Sequence, residues 1–201
     1  MKRVCINPGH GGSAPGAVYG DLKEKDIVLA VSKYVVEGLN AIDPEIWVGL
    51  TRYVDRTMSL QEICDSSNNM GVDCFVSIHC NADPDDDLPG MPEAKGEEIW
   101  YYDKSVDGLR LAQCLSDEVD RIFPDEPFRG IKSTRPKIEK PPGETRPYFH
   151  VLAKTNAPAS LIELGFIDKS SSHETFANEL TLRKIGALIA RGTHEYLSLN
   201  P

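Results

Sequence analysis

The chain has 201 residues, 40% hydrophobic and 26% charged, which suits a single domain spanning 1–201 with a core large enough to be stable unaided. A net charge of −9 opposes binding to a nucleic-acid backbone, which needs clustered Lys and Arg to displace counterions. No apolar stretch approaches the roughly 20 residues needed to cross a bilayer, so membrane insertion is not expected either.

Residues 3–7 form a short apolar run that empties into Pro8-Gly9-His10-Gly11-Gly12, the pattern of a buried strand followed by a sharply bent loop. From Glu24 to Leu39, Ile27, Val28, Ala30, Val31, Tyr34, Val35 and Leu39 recur at helical spacing, and the helix is expected to be entered through Asp21 or a neighbour. Residues 46–51 read as a second strand. Ser59 and Glu62 have the spacing of a capping box, opening a helix whose apolar stripe is Leu60, Ile63 and Met70. Residues 73–80 and 97–102 supply two further strands, and Val106–Phe123 an amphipathic helix. Proline-rich residues 124–147 show little periodicity and read as a long surface loop. Residues 149–153 and 158–164 are strand-like, and a helix from Leu180 to Leu197 closes the chain. Alternating strands and helices predict an α/β fold: a mostly parallel twisted sheet of about six strands with helices on both faces.

Cys5, Cys64, Cys74, Cys80 and Cys114 lack CxxC spacing and read as reduced, small buried hydrophobes. The start, MKRVCINPGH, lacks the apolar core and cleavage site of a signal peptide, so the chain is expected to be made and kept in the cytoplasm.

In open parallel sheets, loops leaving the carboxyl ends of strands converge on one crevice, which makes polar residues there the informative ones. His10 follows the first strand, His79 ends the third, Glu163 ends the last, and Glu24 begins the first helix. Two imidazoles and a carboxylate are a recurrent ligand set for catalytic zinc, which leaves a position open for water. Glu163, framed by Leu161-Ile162 and Leu164-Gly165-Phe166, has the desolvated setting that raises a carboxyl toward general acid and base work. Each residue also has a plainer reading: Glu24 as a charge at a helix N-terminus, Glu163 as a buried acid paired to an arginine. The loose spacing from His10 to His79 does not decide between them. His150, His173 and His194 have ordinary surface or strand contexts.

The segment INPGHGG at 6–12, followed by Gly16-Ala17 and Leu22-Lys23-Glu24, resembles the opening of the zinc-dependent N-acetylmuramoyl-L-alanine amidases of type 3. The likeness continues in family order through Leu50-Thr51-Arg52, Asp55, Met58-Ser59-Leu60, Ser77-Ile78-His79-Cys80-Asn81-Ala82, Arg129-Gly130-Ile131-Lys132 and the block from Pro158 to Ile167. The resemblance implies His10, Glu24 and His79 as zinc ligands and Glu163 as the catalytic glutamate. It implies hydrolysis of the amide between N-acetylmuramic acid and the stem-peptide L-alanine, with peptidoglycan as partner and Glu163 moving the proton. Asn81 is expected to bind or orient substrate, and Arg52 and Asp55 to form a buried contact.

Three departures from the family pattern stand out. Ile63 occupies a place where the family usually has arginine, expected to alter no more than a helix-surface contact. Cys80 replaces a commoner alanine and is expected to point away from the metal, since adjacent strand residues face opposite ways. The loop 124–147 is long, and between residues 129 and 146 it carries Arg129, Lys132, Arg135, Lys137, Lys140 and Arg146 against Glu139 and Glu144. Arg129, Arg135 and Lys137 are accordingly expected either to hold stem-peptide carboxylates or to belong to a solvated loop whose charges only aid solubility.

The competing readings are a zinc peptidase or carboxypeptidase on wall peptides, a noncatalytic wall-binding module, and a phosphate-binding glycine loop, the last weakened by the missing Lys-Ser/Thr ending of a P-loop. A monomer is expected, reaching the wall on release from a lysing host or mother cell.

Overall fold

A computed structural model describes residues 1–83, 94–135 and 147–199. The apolar run at the start forms β1 (Arg3–Pro8), followed by a small hairpin of β2 (Val18–Tyr19) and β3 (Leu22–Lys23) and then α1 (Glu24–Ile42). Next come β4 (Trp47–Leu50), α2 (Leu60–Met70), β5 (Cys74–Asn81), β6 (Glu98–Tyr102) and α3 (Val106–Val119). The chain continues through β7 (Ile131–Thr134), α4 (His150–Lys154), β8 (Ala159–Phe166), α5 (Ser170–Ala177) and α6 (Glu179–Leu199).

One six-stranded sheet has the order β4-β1-β5-β8-β6-β7. All its pairings are parallel except β6 with β8. The inner strands are apolar along most of their length because helices cover both faces. On β5, Cys74, Val76, Ile78 and Cys80 face a core shared with α1, α3 and α6, whereas Phe75 faces a second cluster under α2 and α4. Fully buried side chains such as Phe75 and Ile78 contribute ~1.5–3 kcal/mol each. All five cysteines are free and buried. Among the described residues, no helix is long and apolar enough to cross a membrane.

The expected fold class holds, with local corrections. Residues 149–153, read as a strand, are instead Phe149, which caps α4, and most of α4 itself, which turns Val151 and Leu152 into the second cluster. A five-residue apolar run carries no period that separates the two conformations. The sixth strand is instead β7, inside the segment read as an unstructured loop. Its four residues pair in parallel register with Ile99–Tyr102 of β6, and it is too short to show alternation. Helix α1 begins after Lys23 rather than Asp21, with no side-chain cap, and the carboxylates of Glu24 and Asp26 sit in its first turn, where the helix dipole favours them. The capping box on α2 is present: Ser59 Oγ accepts from the Glu62 amide at 3.2 Å, and Glu62 Oε2 accepts from the Ser59 amide at 2.7 Å.

Candidate metal centre

Beyond Pro8 the chain passes through Gly9 to His10, whose φ of 57° is the left-handed conformation that a non-glycine residue adopts at a cost. Gly9 is required by a close approach, since a Cβ there would lie 2.3 Å from Cε1 of His79. The imidazole of His79 therefore rests directly on the β1 loop. Gly16 does the same for Glu24, where a Cβ would meet Oε2 at 2.4 Å.

Glu24 is almost fully buried, and each of its oxygens has two neighbours. Oε1 accepts from the Cys80 amide at 3.0 Å and lies 3.0 Å from His79 Nδ1. Oε2 accepts from the Ala17 amide at 2.9 Å and lies 3.1 Å from His10 Nε2. Burial pushes the Glu24 carboxyl up, but hydrogen bonds to His10 and His79 outweigh it and hold the group well below the usual carboxylate range. The two imidazole rings meet edge to face with centroids 5.1 Å apart. One ligand atom from each of His10, Glu24 and His79 falls within 4.8 Å of the others. An ionised carboxylate with two converging imidazole nitrogens is a donor set that fits a divalent cation, and its hardness and softness suit zinc.

Arg52 holds the approach to this site. Its guanidinium donates to the carbonyls of Pro8 at 3.2 Å, Gly9 at 2.8 Å and Lys25 at 2.8 Å, tying the His10 loop to the start of α1. The expected Arg52–Asp55 contact is replaced by these carbonyls, which match the planar fork. Asp55 pairs with Lys25 Nζ at 2.6 Å and accepts from the Gly12 amide.

Glu163 is the Cα partner of His79 on one side and of Glu98 on the other, so the three side chains form a row across β5, β8 and β6. Its Oε2 is buried with no hydrogen-bond partner among the described residues. Burial, then the Glu24 and Glu98 charges, push its carboxyl well above the usual range. The reading of Glu163 as half of a buried ion pair is not what the structure shows. The arginine nearby belongs to Glu98, whose Oε2 accepts from Arg129 Nε at 2.7 Å and from Lys132 Nζ, while Oε1 accepts from Trp100 Nε1 at 2.8 Å. Burial raises the Glu98 carboxyl, and the hydrogen bonds from Lys132, Arg129 and Trp100 more than offset that, leaving it lowered.

Glu98 was missed in the sequence because it starts a strand. Since β6 runs antiparallel to β8, its first residue, not its last, borders the site. The same geometry corrects Arg135. It follows β7 and pairs with Asp103 at 2.7 Å, at the other end of β6, about 16 Å from Glu98 at ~3.3 Å per residue. Lys137 lies outside the described residues. Asn81 ends β5 with its carbonyl accepting from the Ile167 amide at 2.9 Å, and its side chain is partly exposed beside the row. Cys80 faces the helical core as expected and contributes to the site through its amide alone.

A further correction concerns Ile63. It is buried, and it lines a cavity that also reaches His10 and His79, so the change from the family pattern lies beside the metal ligands and not on a helix surface. His150, read as ordinary, lines the same cavity.

The family model described as N-acetylmuramoyl-L-alanine amidase matches residues 4–195. The chain belongs to that family. The chain is 31% identical over 198 residues to the endolysin of Bacillus phage SPP1, covering 98% of this chain and 67% of that one. The catalytic fold matches the amidase AmiC2 of Nostoc punctiforme at a TM-score of 0.81 and 29% identity, covering 98% of this chain and 97% of that one. It matches an N-acetylmuramoyl-L-alanine amidase from Clostridium difficile 630 at a TM-score of 0.83 and 30% identity, over 100% and 98% of the two chains. Amidase membership accounts for a six-stranded, mostly parallel sheet whose ligand-bearing loops leave the ends of β1 and β5.

Proposed function

We propose that the chain hydrolyses the amide joining N-acetylmuramic acid to the L-alanine of the stem peptide, with zinc held by His10, Glu24 and His79 and with Glu163 as the proton-transferring residue. The observation that carries this reading is the unpartnered buried Glu163 oxygen one strand away from three converging ligand atoms. Zinc bound by this set supplies Lewis-acid polarisation of the amide carbonyl and a water acidic enough to ionise near neutral pH.

The residues of the chain do the rest. Glu24 stays ionised as a ligand between the two imidazoles, and the Cys80 and Ala17 amides fix its two oxygens. Glu163 takes a proton from the attacking water and delivers it to the leaving nitrogen as the C–N bond breaks, giving a muramic acid carboxylate and a free L-alanyl amine. Its raised carboxyl pKa suits a group that must hold and return a proton. Glu98, held ionised by Arg129 and Lys132, keeps negative charge beside Glu163 and so stabilises Glu163 once it holds the water's proton. Arg129 remains partly exposed and lies over the Phe166 ring at 5.1 Å, a fixed guanidinium available to a stem-peptide carboxylate. The enzyme acts on the cell wall.

Digestion of purified walls tests the bond assignment. New amino termini that are all L-alanine, with intact stem peptides in solution, support it, whereas released single amino acids identify a carboxypeptidase instead.

A further inference from the structure

Beneath His10 and His79, on the face of the sheet covered by α2 and α4, lies a cavity of about 240 Å³. Its floor is Asn7 and Leu161, and its walls are Met58 and Ile63 on the α2 side and Tyr148 and His150 on the α4 side. Asn7 is already spent on Ser77 and Thr51. Apart from the imidazoles and the Tyr148 phenol, no ionisable group among the described residues lines it. His150 Nε2 is buried with no hydrogen-bond partner among the described residues, and the Tyr148 ring stands edge-on to the His150 ring at 6.2 Å. The space therefore takes a neutral group with an apolar face and one polar atom to pair with an imidazole.

The two halves of the amide substrate differ in this respect. The amine half is a stem peptide bearing carboxylates, and the acyl half is a neutral N-acetylated amino sugar. The chemistry also orients them. The leaving nitrogen must reach Glu163, and Glu163 is flanked on its β6 side by Glu98, Arg129 and Lys132. A peptide departing over β6 and β7 passes partly exposed cations, while the acyl half is left toward β1 and α2, where the cavity opens against His10.

We propose that this cavity is the subsite for the N-acetylated sugar on the acyl side of the scissile amide, so that substrate crosses the sheet with its sugar over β1 and α2 and its peptide over β6 and β7. This assignment rests on the amidase reading above. Aromatic Tyr148 supplies the face for the pyranose ring, His150 pairs with the acetamido or a hydroxyl group, and Ile63 keeps the wall apolar.

The test uses the zinc-loaded enzyme and two substrates with the same scissile bond: N-acetylmuramoyl-L-alanyl-D-isoglutamine, and the same dipeptide carrying only a D-lactoyl group. The wild-type enzyme is expected to prefer the muramoyl compound at least about tenfold in kcat/KM, chiefly through KM. Tyr148→Ala is expected to collapse that preference, whereas His150→Gln, which keeps a hydrogen-bonding group, retains most of it. Equal wild-type cleavage of the two compounds, or a Tyr148→Ala variant that slows both by the same factor, overturns the subsite and leaves the amidase reading intact. Wall cleavage without turnover of the muramoyl compound also overturns it. Failure to cut walls or either fragment at the lactyl-alanine bond overturns the amidase reading itself.

Discussion

Replacing Gly9 with alanine should disable the metal centre while leaving the fold in place. The added methyl carbon would lie 2.3 Å from His79 Cε1 and 2.6 Å from both ring nitrogens. Unstrained carbon contacts need roughly 3.5 Å, so the imidazole must retreat by about 1 Å. Metal–nitrogen bonds tolerate errors of only about 0.2 Å, so a displaced ring loses its bond or drags the loop with it. The φ of Gly9 is not in the left-handed region, so alanine costs no backbone strain there and modestly restricts the unfolded chain. Zinc affinity, measured by competition with a chromophoric chelator, is expected to fall by at least about 100-fold, and kcat/KM on walls with it. The melting temperature of the metal-free protein should change by no more than a few degrees. A Gly9→Ala protein that binds zinc as tightly as wild type would refute the placement of His79 over Gly9.

Other expected outcomes follow from the same geometry. Glu163→Gln should retain zinc yet lose about 10²- to 10⁴-fold in kcat, measured by release of L-alanyl amino termini; a drop confined to KM would contradict proton transfer by Glu163. Arg129→Gln should raise KM for stem peptides with free carboxylates, whereas Arg135→Gln, at the far end of β7, should not; equal effects would contradict the strand geometry. Glu97 is buried, with Oε1 accepting from the Phe123 amide at 2.7 Å, and burial above all pushes its carboxyl up to about 7 from 4.5. A raised carboxyl contributes most below pH 4.5 and loses its contribution as pH rises through 7. The loss is ~3 kcal/mol at most and about 2 kcal/mol after allowance for solvent screening. Glu97→Gln keeps the acceptor and removes the charge, so it should match wild type near pH 4 and melt ~4–8 °C higher at pH 8. A difference independent of pH would contradict it.

The ligands were legible because of where β1 and β5 stop. His10 and His79 interrupt apolar runs at their carboxyl ends, and Glu24 opens a clearly periodic helix, so placing the three together needed only a parallel sheet. Their convergence within 4.8 Å was not legible, since it depends on the bare backbone at Gly9 and Gly16. Glu98 escaped because a strand's direction is a tertiary fact: Glu98-Ile99-Trp100 reads the same whether β6 runs parallel or antiparallel, yet only the antiparallel choice brings Glu98 beside Glu163. Ile63 and His150 escaped for a related reason. Helix α4 was read as a strand, and the cavity exists only once α4 is turned as a helix and set against α2. Arg52 was recognised as buried and structural, but its partners are backbone carbonyls, which have no sequence signature.

The central claim, that His10, Glu24 and His79 form a zinc site which works with Glu163, is tested most directly by titrating metal-free protein with zinc while following wall hydrolysis. Activity should be absent after chelation, rise linearly and saturate at one equivalent. Glu163→Ala should take up the same single equivalent without gaining activity. Hydrolysis that persists in chelator, or a Glu163→Ala variant that is as active as wild type when loaded, would contradict the account.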